Sequence, residues 1–586
     1  MTTISSKNRQ RTFRAIVPVP AVLALLLMLL PAGRADAQEQ AMSDLSNQDF
    51  ISFVRTLRNP QMLSANAGQL PIPRGARCGL GISAEAVRRL PTMPPDQADE
   101  LRKLLSLQRR DISVVSPSGR FRIHFDTTGY HSPALLDENF NRIPNTAYAY
   151  ADSVARIFDE VYEVEIGQYG FDPPPFRAGE TEYQITILEF LGNYYGQTLF
   201  NAPLPNGGTV RNTYATHMEI DNDFLRYDTR GIEGVRVTAA HEFHHMVQLG
   251  MYGFWDTDRW VHEMTSTFFE EAVYPEINDY FQYIGTFMRK TDLPMYAWSP
   301  DGYELVLWPI FLEYKYGNTL IREIWEGMRQ VEPVTATRDA IRDHLPVGGD
   351  VASDFCSWTS QNYFTGYRAE RKSPNMYDDA AQLASVDPTE LELVAESARM
   401  TGTLLPLSAE YLRVYRGLDS LTFVVSNSDI TSAISRSGAG VSYELEVRRS
   451  GYDESWISLS NGWAYRFTAS QPNALCVALL EGGTAAMVER DAPFPNPFFP
   501  REHTRLQFPI PRSVEANRAD LYLFSPSMEK VFASENMAIE LDDMTGAHVA
   551  WDGRGEDGDF VSSGVYFYVL QYGGETVKGK IAVVKR

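Results

Sequence analysis

Three of the chain's ten histidines fall within five residues, His241-Glu242-Phe243-His244-His245. On an α-helix, residues four apart share one face, so His241 and His245 can aim two imidazoles at one metal ion. Glu242, one residue along, is displaced round the helix to meet a water held by that ion, which is the layout zinc-assisted hydrolysis requires. Catalytic zinc takes three protein ligands and leaves a fourth position open. The next predicted helix, RWVHEMTSTFFEEAV, offers Glu263, with seventeen residues between it and His245. His262 is the rival ligand, but as the neighbour of Glu263 it should face elsewhere on that helix, so the spacing favours Glu263. Glu270 and Glu271 lie two turns further on and read as surface or outer carboxylates. The plain alternative, core histidines on a buried helix, leaves Glu242 without a purpose.

The elements that would position these groups show clear periodicity. VRVTAAHEFHHMVQLG and RWVHEMTSTFFEEAV repeat as helices, and helical patterns continue through YELVLWPIFLEYKYG and IREIWEGMRQ to about residue 370. Upstream, FRIHFDTTG and YQITILEF read as strands flanking a long helix, TAYAYADSVARIFDEVYEVEIGQYG. MEIDNDF (218–224) can be an edge strand that pairs with an extended substrate. Its Glu219, Asp221 and Asp223 leave two other readings open, a Ca2+ site and a solvated turn. After about 385 the segments become short, β-rich and turn-separated. The expected fold class is therefore α+β around a long helix over 118–375, followed by two all-β sandwich domains. These span 386–487 and 488–586, the second entered through the proline-rich linker DAPFPNPFFP.

With 586 residues, 44% of them hydrophobic, the chain can bury several cores. A formal charge of −22 argues against nucleic acid and anionic membranes as partners, because both would be repelled. Lys7, Arg9, Arg11 and Arg14 precede an apolar run that ends in Ala35-Asp36-Ala37, a secretory signal peptide over 1–37. The run is proline-broken and short for a membrane span, so no stable span is expected after its removal, and the protein is expected to be secreted or held at the cell surface. Residues 38–117 read as a pro-segment with Cys78, in RGARCGLG. Three cysteines, Cys78, Cys356 and Cys476, cannot all pair with one another. The last two read as structural.

Around Glu263 the chain resembles the gluzincins, zinc peptidases whose third ligand is a Glu on a following helix. The matching residues are Trp260-Val261-His262-Glu263, followed by Met264-Thr265-Ser266. The metzincin continuation is absent, since Gln248 and Met251 stand where it needs Gly and His. FRIHFDTTG, IDNDF, VTAAHEFHHMVQLG, WVHEMTSTFFEE and EINDY further resemble a group of secreted bacterial proteins classed by motif as metalloproteases, over most of 75–330. His244 departs from that group's usual aromatic, and Met264-Thr265-Ser266 from its Ala-Thr-Ala. These resemblances imply a zincin-like fold and a Zn2+ ion on His241, His245 and Glu263. They also imply Glu242 as general base, a protein or peptide substrate, and an oxyanion donor after the third ligand, for which Tyr303 is the candidate by position. The context of Cys78 resembles the thiolate that silences zinc in matrix metalloprotease proenzymes, implying a zymogen.

FPNPFFPREHTRLQFPIP, WDGRGEDGDFVSSGVYFYVLQ and KGKIAVVKR, over roughly 494–586, resemble type IX secretion sorting domains and the Ig-like domain of flagellar hook-capping proteins. That likeness implies a type IX secretion partner. A competing reading is a surface adhesin or structural protein on a degenerate peptidase scaffold.

Overall fold

The computed structural model describes residues 42–58, 78–110 and 112–585, apart from 191–193, 206–207, 299–300, 345–349, 373, 418, 437–439, 454, 460–461, 485–492, 494–497, 499, 501–504, 511–517, 543–545 and 557. The proposed signal peptide lies outside the described residues. The chain forms two compact units, one of residues 1–156, 179–202 and 216–238 and the other of 157–178, 203–215 and 239–586.

Among the described residues of the first unit, helices α1 (Asn47–Arg58), α2 (Leu80–Arg89) and α3 (Pro95–Leu104) precede a mixed sheet. Its strands are β1 (Ile112–Val115), β2 (Phe121–Phe125), β3 (Tyr183–Ile187), β4 (Gly196–Leu199) and β5 (His217–Ile220), in the order β1-β2-β3-β5-β4. β2, β3 and β5 run parallel, while β1 and β4 are antiparallel edges. Every residue of β3, β4 and β5 is buried, as strands covered on both faces should be. Phe50, Ile51 and Val54 of α1 and Leu101 of α3 share a core with Leu188, Phe190 and Leu199.

The expected edge strand is corrected here. β5 is interior, hydrogen-bonded to β3 on one side and β4 on the other. Its charge is buried by pairing: Glu219 is fully buried, ion-paired with Arg58, and accepts from Gln197 Nε2 at 2.6 Å. The other two acids are held separately. Asp221 accepts the backbone amides of Asp223 and Phe224, and Asp223 pairs with Arg142. The edge on this side of the sheet is β4, where Gly79 N donates to Gly196 O at 3.1 Å beside a bridge between Cys78 and Gly196. Cys78 is buried and free of a disulfide.

Two long helices, α4 (Ala147–Tyr162) and α5 (Gly231–Val247), begin in the first unit and end in the second. Each closes in a π-helical turn, Glu163–Gln168 and Gln248–Tyr252 respectively. Such widened turns are rare and concentrate at functional sites.

In the second unit α6 (Arg259–Val273) is followed by α7 (Phe281–Met288), α8 (Leu307–Tyr316), α9 (Thr319–Met328), α10 (Pro333–Asp343) and α11 (Val351–Asn362). Trp325 and Trp358 are buried among them. Among the described residues eight strands follow: β6 (Thr389–Glu392), β7 (Ser397–Leu404), β8 (Ser408–Arg416), β9 (Asp419–Asn427), β10 (Val441–Arg448), β11 (Ile457–Ser458), β12 (Ala464–Ala469) and β13 (Leu475–Thr484). They make two four-stranded sheets, β11-β12-β10-β7 and β13-β9-β8-β6, over a common core that includes Leu412, Phe423, Leu445 and Trp463. A disulfide joins Cys356 on α11 to Cys476 on β13. Thr359 Oγ1 meets Ser426 Oγ at 2.7 Å, and Tyr411 OH donates to Thr359 O at 2.6 Å. The sandwich is thus bonded to the helices in front of it.

Among the described residues between Leu506 and Val583, seven strands form a three-stranded and a four-stranded sheet around a separate core of Phe508, Leu521, Val549, Trp551 and Tyr568. No helix among the described residues is long and apolar enough to cross a membrane.

Candidate metal centre

α5 and α6 bring three donor atoms to one point. His241 Nε2 and His245 Nε2 lie 3.1 Å apart, Glu263 Oε2 is 3.1 Å from His241 Nε2, and it is 3.3 Å from His245 Nε2. Zinc bonds to nitrogen and oxygen of about 2.05 Å at tetrahedral angles separate ligand atoms by about 3.3 Å. The donor set and its spacing therefore fit that ion. All three residues are buried, each no more than 5% exposed.

The far side of each imidazole is held as well. His241 Nδ1 is 2.7 Å from Glu270 Oε1, and His245 Nδ1 is 2.9 Å from Gln248 Oε1. A ring N–H donated outward leaves the inward Nε2 lone pair available. Electrostatics show what the donors call for in the absence of an ion. Burial lowers the pKa of His241, but its bonds to Glu263 and Glu270 outweigh this and raise it to about 10. Burial would raise the pKa of Glu263, yet His245 and then His241 hold it well below the usual carboxylate range. A buried carboxylate kept ionised beside two imidazoles makes a centre that demands positive charge.

The other residues singled out from the sequence sort cleanly. Glu242 is 1% exposed on the same helix as both histidines. Tyr303 is brought to the site: its ring stacks on His241 with centroids 5.7 Å apart, and Tyr283 backs it at 5.1 Å. Gly302 makes this approach possible, with φ of +100° and its backbone pressed on Trp260 of α6. His262 turns away from the donors. Its Nε2 accepts from Trp255 N at 3.1 Å and its Nδ1 meets Gln248. Glu270 proves to be the outer partner of His241, whereas Glu271 is not among its bonds.

Two groups escaped sequence reasoning. Gln248 is one. The other is Glu165 in the π turn after α4, whose Oε2 sits 2.9 Å from His244 Nδ1, both residues fully buried. Burial raises the pKa of Glu165 well above the carboxylate range and, with the neighbouring imidazoles, lowers that of His244. Phe269 lies 4.2 Å from the His244 ring, centroid to centroid, and Phe171 packs on it edge-on. The departure at His244 was the available signal, because a polar ring on a buried helix face needs a partner.

No family model matches the chain, and no curated protein matches it. Among solved structures it is similar to PorZ, a bacterial surface component of the type IX secretion system of Porphyromonas gingivalis, at 11% identity and a TM-score of 0.12. That match covers 31% of this chain and 38% of PorZ. At such a score the likeness carries no argument about fold or activity.

Proposed function

We propose that the chain is an exported zinc-dependent peptidase. The observation that carries this reading is the convergence of His241 Nε2, His245 Nε2 and Glu263 Oε2 at tetrahedral ligand spacing, with the outer nitrogens of both rings already committed. Bound there, zinc would supply Lewis acidity, polarising a carbonyl and acidifying water. Glu242 would accept the proton of the attacking water and hand it to the leaving amine. Tyr303, stacked on His241, would donate to the carbonyl oxygen as negative charge develops there. Glu263 would balance charge as the third ligand, and Glu270 would hold His241 in place. Export rests on the N-terminal sequence, and a surface or type IX secretion association rests on the C-terminal motifs alone.

The test is metal content and proteolysis on protein lacking residues 1–37. The reading expects about one zinc per wild-type chain, its loss in His241→Ala, and zinc retained without peptide hydrolysis in Glu242→Gln. Wild-type protein that stays zinc-free after supplementation would end it.

A further inference from the structure

We propose that Gln248 is the positioning residue for His245, fixing which of its nitrogens faces the metal. This rests on the zinc reading above. The orientation of the Gln248 amide follows from its neighbours. One amide terminus lies 3.0 Å from His262 O, a backbone carbonyl that can only accept. It also lies 2.9 Å from Thr265 Oγ1, whose proton is committed to Val261 O at 2.8 Å. That terminus must be the NH2 group, so the other is the oxygen.

The oxygen faces two ring nitrogens at once, His245 Nδ1 and His262 Nδ1, each at 2.9 Å. An amide oxygen can only accept, so both nitrogens must carry hydrogen. His262 gives an independent check, because its Nε2 accepts the backbone N–H of Trp255 and is therefore bare. With its hydrogen fixed on Nδ1, the neutral ring of His245 presents a bare Nε2 towards Glu263 and His241. The metal-ready state of His245 is thus traced through one side-chain amide to the backbone at His262 and Trp255. Ser266 Oγ, 3.1 Å from His245 Nδ1 and 3.3 Å from Gln248 Nε2, is the competing acceptor. The geometry assigns the Nδ1 proton to the closer Gln248 oxygen.

The experiment is zinc affinity of the mature chain by chelator competition, with thermal unfolding in parallel. Gln248→Leu removes the acceptor and should weaken zinc binding about 10- to 100-fold. Gln248→Glu keeps an oxygen before both rings but loses donation to His262 O, so it should hold zinc as the wild type does while Tm falls. Ser266→Ala should bind zinc normally. Wild-type affinity in Gln248→Leu would overturn the assignment, as would a Ser266→Ala loss equal to that of Gln248→Leu. Should Gln248→Leu fail to fold, Gln248→Glu decides, and weak zinc binding there refutes the positioning role. A wild type that binds no zinc would overturn both this assignment and the peptidase reading. Normal wild-type binding with an insensitive Gln248 overturns this assignment alone.

Discussion

Gly302→Ala tests whether the loop carrying Tyr303 is built against α6 as tightly as it must be. A β-carbon at this position would sit 2.2 Å from Trp260 O, 2.7 Å from its Cα and 2.8 Å from its carbonyl carbon. The obstacle is helix backbone, so no side-chain rotation relieves it. Reaching ordinary contact at 3.4 Å requires the loop to retreat by about 1.2 Å. The positive φ adds a cost of about 1–3 kcal/mol for a residue bearing a β-carbon. Both effects fall on the residue next to Tyr303 and on the turn of α6 that leads to Glu263. A displacement of about 1 Å in a catalytic group can cost about 100-fold in rate. The expected result is a kcat lowered by about that factor, a reduced Tm, and zinc still bound, since the three ligands lie on α5 and α6 rather than on the loop. Peptide hydrolysis, metal analysis and thermal unfolding on one preparation separate these outcomes. Wild-type kcat together with wild-type Tm would refute the reasoning.

Glu270→Ala removes the outer partner of His241 and should weaken zinc binding about 10- to 100-fold in a chelator competition. Replacing Cys356 and Cys476 together with serine opens a loop of 120 residues, which the chain-entropy account values at about 5 kcal/mol. Thermal unfolding should show a lowered Tm, and the wild type under reducing conditions should match it. Burial, reinforced by Asp379 and Asp378, raises the pKa of Glu271 to about 8 from the ordinary 4.5. The folded state then holds a proton that the unfolded chain releases above pH 4.5, so this group's contribution is fully present near that pH and lost as pH rises towards 8. Stability measured by denaturant across that window should decline, and Glu271→Gln should flatten the decline.

The parts of the site that were legible in the sequence are those set by helix periodicity. The four-residue spacing of His241 and His245 and the choice of Glu263 over His262 need only the geometry of an isolated helix. What surrounds the ligands needed the fold. Gln248 is one residue among many amides, and its role depends on a carbonyl and two rings supplied by α6. Glu165 and His244 are 79 residues apart. The edge position failed for a related reason. MEIDNDF alternates as a half-exposed strand would, but Arg58 on α1, 161 residues away, neutralises its glutamate and lets β5 lie inside the sheet. GQTL, the actual edge β4, is short and polar and gives no periodic signal. Among three cysteines, pairing could not be chosen from spacing, because three pairings are open until the chain is folded.

The disulfide also decides where a pull on the protein would stop. Any tether acting through the C-terminal module reaches the rest of the chain at Thr484, the last residue of β13. Tension there can peel β13 from β9 back along its register, but the covalent link at Cys476 halts the peeling within the sandwich. Beyond it the load passes through the disulfide to α11, so residues 357–475 between the two cysteines, with strands β6 to β12, are left out of the covalent load path.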